Sequence, residues 1–477
     1  MSKLDGWELV IGLEVHCELR TATKLFCGCP NMFGDEPNTN VCPVCLGLPG
    51  SLPVINRQAV EFAMRIGAAL NCSIEPSTFH RKNYFYPDMP KDYQVSQYDE
   101  PINVGGYLEL PDGFRVGIER AHMEEDTGKT MHAGGDGRIH GSSHSLVDYN
   151  RSGVPLVEIV SAPDMRSSAQ ARAYVAELRA ILVAIGASDG RMEEGSLRAD
   201  ANVSVRRPGE PLGTRCEIKN VNSLRSLGRS IEYEAARQVD LITAGEKVQQ
   251  QTRHWDDANG RTITGRTKEE AEDYRYFLEP DLVPLAPDAA WITTVRGSLP
   301  ALPAERRGRV AAAAGAEPAS QAVVTVVDLE LDDLVCAAVA AGADGRIALA
   351  RASNEVAANV DAGRRLDAGA FASLVKLEAG GGLTATQAKT VLGELLETGG
   401  GDPAAIAAAR GFEAMDSNAL DATIDEIIAA HSDEWARYRE GDPKMAGFFV
   451  GLVMKATQGK ADGKAVNAAL QDRLKPA

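Results

Sequence analysis

From residue 9 onward the chain alternates apolar and other residues with a period of two. Leu9, Ile11, Leu13, Val15, Cys17 and Leu19 fall on one side, and Glu14, His16, Glu18 and Arg20 on the other. Residues 196–206 repeat the pattern, with Leu197, Ala199, Ala201, Val203 and Val205 opposite Arg198, Asp200, Asn202, Ser204 and Arg206. In 215–219, Arg215, Glu217 and Lys219 oppose Cys216 and Ile218. Half-polar alternation belongs to antiparallel sheets with one face on the core and one in water. Helical periodicity appears in 56–70, in 168–185 behind Ser167, and in 223–242 behind Ser223. The first 300 residues therefore read as α+β.

The rest of the chain differs. Ten of 11 tyrosines precede residue 280 and seven of eight cysteines precede residue 217, whereas 43 of the last 174 residues are alanine. Prolines 280, 284, 287, 300 and 303 crowd the boundary, as in an interdomain linker. Beyond it, Gly380–Gly382 and Gly399–Gly401 break what reads as a series of helices. A chain of 477 residues exceeds one comfortable core, and we expect domains at 1–293, 294–405 and 406–477. No apolar run reaches membrane length, and the N-terminus lacks the apolar segment of a signal peptide. A cytoplasmic protein is expected. The net charge of −17 excludes a protein that coats nucleic acid by bulk charge, though not one with a local basic patch.

Several chemistries fail on spacing. Asp126-Thr127-Gly128-Lys129-Thr130 resembles the end of a phosphate-binding loop, but Met123 stands where the loop needs glycine, and Glu124, Glu125 and Asp126 would repel phosphate. Gly135-x-Gly137 is half a dinucleotide fingerprint, with His140 at the third glycine position and no strand before it. Neither a G-x-S-x-G elbow nor an H-E-x-x-H helix is present.

Three constellations remain. Glu14 and His16 share a strand face and can join His122-Met123-Glu124-Glu125-Asp126; carboxylates with an imidazole suit Mg²⁺, the alternative being a solvated acidic face. Asp200, Glu193, Glu194 and Glu217 enlarge that acidic set. Cys27-Gly-Cys29 and Cys42-Pro-Val-Cys45 form two close thiol pairs that fit a tetrahedral structural Zn²⁺, the alternative being four reduced thiols in a reducing compartment. Cys17, Cys72, Cys216 and Cys336 stand alone and read as small core residues. Residues 79–101 interleave Arg81, Lys82 and Lys91 with Tyr84, Phe85, Tyr86, Tyr93 and Tyr98, which could hold phosphates and stack on bases or could pack on the sheet. A second Tyr/Arg cluster, Tyr274-Arg275-Tyr276-Phe277, closes the region, while His140 and His144 read as surface residues.

At this point a family becomes visible. VIGLEVHCEL (10–19), RKNYFYPDMPKDYQVSQYDEP (81–101), HMEEDTGK (122–129), SLVDYNRSGVPLVEIVSAPD (145–164), MEEGSLRADANVSV (192–205), EIKNVNS (217–223) and DYRYFLEPDLVP (273–284) run in order through the first 300 residues. Together they resemble the B subunit of the bacterial glutamyl/aspartyl-tRNA amidotransferase. LPALP (299–303) and GFFVGLVMKATQGKAD (447–462) extend the likeness into the helical half. Beside the asparagine at 354 the family commonly has a tryptophan, where this chain reads Ser353-Asn354-Glu355.

The resemblance implies a cradle domain with an antiparallel sheet similar to glutamine synthetase and guanidino kinases, followed by an all-α region and a C-terminal tail domain. It implies a ligase that uses ATP and Mg²⁺ to phosphorylate the side-chain carboxylate of Glu-tRNA(Gln) or Asp-tRNA(Asn). Ammonia from a partner A (amidase) subunit, in a heterotrimer with a C subunit, then displaces the phosphate. Carried over residue by residue, it makes Glu14, His16 and Glu125 Mg²⁺ ligands, with Glu124 beside them, and Lys82 a cation facing phosphate or carboxylate. Asp200 and Glu217 join Lys82 as ATP-site candidates, and Cys27, Cys29, Cys42 and Cys45 resemble the structural zinc ligands of some members.

Two other classes compete. A metal-dependent phosphodiesterase would use the same carboxylates without ATP or glutamine, and a tRNA-binding scaffold would need no acidic cluster on a wet strand. No serine–lysine amidase signature is visible, so the ammonia has to come from a partner. From Pro443 to the end, Lys444, Lys455, Lys460, Lys464, Arg473 and Lys475 face only Asp462 and Asp472, a local +4 in an acidic chain. Phe448, Phe449, Leu452 and Val453 fall at helical spacing there. That suits either a solubilising end or, by the resemblance, a tRNA-binding tail that contacts phosphate and shape.

Overall fold

The structure, a computed structural model, describes residues 3–133, 142–265, 274–412, 417–457, 461 and 463–474. His140 with the neighbouring glycines, and Lys460, Asp462 and Lys475 of the tail, lie outside these residues. The chain forms two compact units, Met1–Pro303 and Ala304–Ala477.

The first unit is built on strands β1 (Glu8–Glu18), β2 (Ser73–Ile74), β3 (His80–Asn83), β4 (Tyr93–Ser96) and β5 (Asn103–Val104). β6 (Tyr107–Glu109), β7 (Arg115–Glu125), β8 (Lys129–Ala133), β9 (His144–Asp148) and β10 (Pro155–Ser161) follow. β11 (Leu197–Arg206), β12 (Cys216–Lys219), β13 (Thr252–Asp256), β14 (Arg261–Thr264) and β15 (Phe277–Leu278) complete the set. Its helices are α1 (Arg57–Ala69), α2 (Ser168–Ala184), α3 (Leu224–Thr243) and α4 (Ala289–Gly297). The main sheet runs β14-β13-β12-β11-β1-β10-β7-β4-β3-β15, with β5 and β6 also on β7 and β2 on β5; β8 and β9 make a separate hairpin.

The alternation in the sequence sets this arrangement. Leu9, Ile11, Leu13, Val15 and Cys17 of β1 are buried beside Leu197, Ala199, Ala201, Val203 and Val205 of β11 and Val157 and Ile159 of β10. Against them pack Val60, Met64 and Ile66 of α1, Tyr174, Leu178 and Leu182 of α2, and Leu227, Ile231 and Ala235 of α3. Emptying one such position, Leu13→Ala for instance, costs about 2–5 kcal/mol. Two helices begin behind the expected Ser167 and Ser223, whose side chains accept backbone N–H groups of the first turns, and Asn56 caps the first helix in the same way.

One expectation changes. The sheet is mixed, because β12 and β13 pair in parallel while the other pairs are antiparallel among the described strands. The 20-residue helix α3 lies between them in sequence and carries the chain back, the kind of long crossover that parallel neighbours need. The first unit also runs past residue 293 to Pro303, since Val295 is buried in its core with Trp291, Ile292 and Leu302 against it.

The second unit is helical throughout its described residues. One core gathers Val323, Val326, Phe371, Leu374, Val391 and Leu392, and Arg351 grips both oxygens of Glu378 beside it at 2.9 and 2.7 Å. Gly399, in the left-handed region at φ 79°, ends helix Ala385–Thr398 as the glycine break predicts. A separate core holds Ile424, Tyr438, Phe449, Val453, Val466 and Leu470. Phe449 and Val453 thus dock helix Lys444–Ala456, while Lys444 and Lys455 stay exposed. No helix among the described residues is long and apolar enough to cross a membrane.

Candidate active site and metal centre

Three adjacent strands bring the reactive groups together on the wet face of the sheet. Register pairs His16 of β1 with Glu158 of β10, Glu158 with His122 of β7, and Leu156 with Glu124. Directly opposed residues share a face. His16 Nε2 lies 3.6 Å from Glu158 Oε2 and 3.9 Å from Glu124 Oε1, and His122 Nε2 lies 3.6 Å from the same Glu158 oxygen. Ligand atoms of His16, Glu124 and Glu158 all fall within 4.8 Å of one another.

Their charges are strongly perturbed. Burial and the Glu158 carboxylate push Glu124 up to about 7. Glu158 is driven up by burial too, but His122, His16 and Lys82 outweigh this and hold it well below the carboxylate range. Burial lowers His122 to about 4. For His16, burial opposes protonation, yet Glu158 and Glu124 win and raise it. Lys82 of β3 faces the same two carboxylates, which keep it charged against burial, and its Nζ sits 4.9 Å from the Tyr274 ring. Tyr276 stacks on Tyr98 at 4.7 Å, and Arg120 lies over Tyr98.

A second polar group lies farther across the same face. Lys219 Nζ reaches Asp200 Oδ2 at 2.7 Å and Glu217 Oε1 at 3.3 Å, and Thr252 Oγ1 donates to Glu217 Oε2 at 2.8 Å. Glu14 pairs in register with Asp200 and accepts from Asn202 Nδ2 at 2.9 Å. Glu193 and Glu194 are exposed, Glu194 paired with Arg191.

Glu125 is placed apart. Period-two alternation turns it to the core face of β7, where it is 2 % exposed, ion-paired with Lys91 and accepting the Val95 N–H at 2.9 Å. The expected trio Glu14, His16 and Glu125 is therefore not brought together, and the close group is His16, Glu124 and Glu158. Sequence reasoning misses Glu158 as a site residue; its one signal is a lone acid in the apolar run Leu156–Val160. The aromatic stretch divides between its two readings. Phe79 is core and Tyr93 lies under Arg81, whereas Phe85 and Tyr86 are exposed.

Clefts flank the close group. One of about 350 Å³ is lined by Gly12, Glu14, Asn202, Ser204, Gly213, Arg215 and others. Another of about 260 Å³ is lined by Glu18, Arg20, Asp189, Glu194 and Ser196. Three successive wet-face residues of β1 thus serve one cleft, the close group and the other cleft in turn.

The four paired cysteines converge at a separate place. Their sulfurs lie within 4.8 Å of one another, unbridged, with Cys42 and Cys45 Sγ 3.9 Å apart. The edge of a Zn–S tetrahedron is ~3.8 Å, so the donor set fits a thiophilic tetrahedral cation. Lys24 N–H donates to Cys29 O at 3.0 Å and Cys42 N–H to Cys45 Sγ at 3.1 Å, shaping two knuckles. Hydrogen bonds from the Cys27 thiol and the Cys42 N–H outweigh burial and lower the Cys45 thiol to about 5. Cys17, Cys72 and Cys216 are buried singly, and Cys336 is half-buried against the helical core.

Comparison with known proteins agrees with this layout. The GatB/GatE catalytic domain family matches residues 9–293, and the GatB domain family matches residues 333–474. The B subunit of the aspartyl/glutamyl-tRNA(Asn/Gln) amidotransferase from Salinispora arenicola (strain CNS-205) is 51% identical over 98% of this chain and 96% of its own length. The one from Frankia casuarinae is 50% identical over 99% of this chain and 96% of its own. The one from Gloeobacter violaceus is 48% identical over 98% of this chain and 87% of its own. With both halves matched and half of all positions shared along nearly the whole length, the chain belongs to the GatB family of amidotransferase B subunits.

Proposed function

We propose that this chain is the B subunit of an aspartyl/glutamyl-tRNA(Asn/Gln) amidotransferase and that its first unit phosphorylates the amino-acid side chain of a misacylated tRNA. The observation that carries this is the His16–Glu124–Glu158 group with Lys82, set between two clefts on one wet sheet face. A carboxylate resists ammonia because its carbon is electron-rich and oxide is a poor leaving group. ATP removes both obstacles. A carboxylate oxygen bonds to the γ-phosphorus as the bond to the bridging oxygen of ADP breaks; ammonia nitrogen then bonds to the acyl carbon and phosphate leaves. Phosphoryl transfer of this kind needs positioning and charge neutralisation more than covalent help.

Mg²⁺ fits the group on its chemistry: two close carboxylates, of which Glu158 raises the proton affinity of Glu124, plus an imidazole, suit a hard divalent cation. His16, Glu124 and Glu158 would hold it, and when bound it supplies neutralisation of phosphate charge. Lys82 adds a fixed cation from β3, beyond β4 on the same sheet. The cleft beside Glu14 suits the nucleoside of ATP, with the Asn202 Oδ1 acceptor unpartnered at its wall and Asp200 and Glu217 nearby. The cleft beside Glu18, with Asp189 and Glu194, repels a polyphosphate and is assigned to the aminoacyl end. Glu125, held by Lys91, braces the end of β7 from the other face.

The remainder follows from the same reading. The first unit is the kinase-like cradle, and the helical part divides in two, a reading supported by one core that runs through Ala407 and another that begins at Ile424. A and C subunits complete a heterotrimer in the cytoplasm, the A subunit releasing ammonia from glutamine. Zinc on Cys27, Cys29, Cys42 and Cys45 is structural, and the basic tail helix holds the tRNA body. The test mixes the purified chain with its A and C partners, misacylated tRNA, ATP and Mg²⁺. Cleavage of ATP that requires the aminoacyl group is expected. Substrate cleavage without ATP would replace the reading by a phosphodiesterase, and turnover unaffected by His16→Ala would leave only a scaffold.

A further inference from the structure

Arg20 is a cation that nothing among the described residues neutralises. It is exposed in the cleft beside Glu18, and its guanidinium has neither ion pair nor hydrogen bond among those residues. The acids around it are already engaged. Glu18 shares a hydrogen bond with Asp126, and Glu194 pairs with Arg191 at 2.6 Å. Asp189 Oδ1 accepts from Ser196 Oγ and from the Arg191 N–H at 3.2 Å, which leaves Asp189 Oδ2 open among the described residues. Phe33 lines the same cleft and is 73 % exposed. Its loop is tied to the chain around Arg20, because Asn31 Nδ2 donates to Leu19 O at 2.9 Å and the Asn31 N–H to Ala22 O at 3.1 Å. An open aromatic ring, an unpaired guanidinium and a free carboxylate oxygen thus share one cleft of about 260 Å³.

Spacing along the chain says what such a set would hold. The Leu19 N–H donates to Pro155 O and the Arg20 N–H to Ala187 O, both at 2.9 Å, and they carry the extended chain past the end of β1. Four residues of extended chain put Arg20 roughly 13 Å beyond His16. In a misacylated tRNA, about ten bonds and roughly 12 Å join the side-chain carboxyl of a glutamyl group to the 5′-phosphorus of the nucleotide that carries it. With that carboxylate at His16, the phosphodiester comes level with Arg20. Between the two ends the substrate offers an ammonium and a ribose hydroxyl, both donors, where the cleft offers Asp189 Oδ2. We infer that this cleft grips the terminal nucleotide of the tRNA, with Arg20 on its phosphodiester and Phe33 stacked on its base, and so sets how far the aminoacyl group reaches toward His16. Guanidinium on phosphate and aromatic ring on base are the contacts that hold single-stranded nucleic acid. This inference rests on the reading that the first unit phosphorylates the aminoacyl side chain.

The experiment uses this chain assembled with its A and C partners and reads ATP cleavage driven by misacylated tRNA. Two tRNAs are compared, one natural and one whose last linkage is an uncharged methylphosphonate. The parent complex is expected to lose about 10-fold in kcat/KM with the uncharged linkage. Arg20→Ala is expected to lose about as much with natural tRNA and to change by about twofold or less between the two tRNAs, whereas Arg20→Lys stays sensitive to the linkage. Phe33→Ala is expected to fall about 10-fold and Phe33→Tyr to remain within about threefold of the parent. No ATP cleavage by the parent would remove the phosphorylation reading itself. With an active parent, Arg20→Ala that runs at the parent rate, or that is still slowed by the uncharged linkage, would overturn the phosphate grip alone. Phe33→Ala that runs at the parent rate, or that fails to assemble with its partners, would overturn the stacking.

Discussion

Glu124 and Glu125 are consecutive residues whose carboxylates leave β7 on opposite faces of the sheet. Glu124 joins His16 and Glu158 on the wet side, whereas Glu125 is locked to Lys91 and the Val95 N–H on the core side. A pair that looks like one acidic patch in the sequence is thus split between two environments. The two should be separable by mutation, the first acting on metal affinity and the second on the strand that carries it.

Replacing Glu158 by Gln removes a candidate ligand atom and the carboxylate that favours the charged form of His16. ATP turnover in the assembled complex should fall by roughly 10²–10³-fold, the effect of losing about 3–4 kcal/mol of transition-state stabilisation. Mn²⁺ titration followed by electron paramagnetic resonance should show the lost affinity directly. Glu125→Gln should leave Mn²⁺ affinity within a few-fold and lower the melting temperature instead. Equal Mn²⁺ loss in both variants would contradict the face assignment.

Acidity offers a second handle on Glu124. Its ordinary value is 4.5 and burial with Glu158 raises it to about 7, so between these values the folded state holds a proton that the unfolded state has lost. The contribution of Glu124 to stability is therefore full below 4.5 and is lost as pH climbs through about 7. A cation competes with that proton. Stabilisation by Mg²⁺ should grow across the same window, and Glu124→Gln should flatten the growth. Thermal melts with and without Mg²⁺ at several pH values would read it; an identical Mg²⁺ increment at every pH would refute it.

Cys42→Ser or Cys45→Ser should cost zinc and thermal stability first and catalysis second, because a structural metal contributes folding free energy directly. Metal analysis with differential scanning calorimetry gives the answer. Unchanged stability after complete zinc loss would remove the structural role.

Packing decides how the basic tail can be probed. Phe449, Val453, Val466 and Leu470 form the core of the last helices, so cutting residues 443–477 away would unfold the element itself. Reversing the exposed charges, with Lys444→Glu and Lys455→Glu, leaves that core alone. Weaker tRNA binding and a shallower salt dependence are expected, by about one unit of slope per lost phosphate contact. Affinity measured at two salt concentrations suffices, and no change in either would make the segment a solvated end.

How much of this could be read beforehand depended on the range of the interaction. β1, β11 and β12 and the caps Ser167 and Ser223 were legible because alternation and capping are local. Cys27, Cys29, Cys42 and Cys45 were legible because thiol pairs advertise their spacing, and the sulfurs do converge. Register between distant strands is not local. Which acid meets His16 depends on β10 lying between β1 and β7, so Glu158, 142 positions away, carried no signal beyond a charge in an apolar strand. The parallel pairing of β12 with β13 was equally hidden, decided by a helix that returns the chain rather than by the strands themselves.

The clefts and the close group between them give β1 the character of a measuring rod. Its wet-face residues recur every second position, roughly 6.8 Å apart, and each mark on the rod serves a different compartment. Gaining or losing a single residue between Glu14 and Glu18 would exchange core and wet faces along everything beyond it. Gaining two would preserve the faces but push the two compartments apart by one full mark. The interior of this strand can therefore change its residues but scarcely its length.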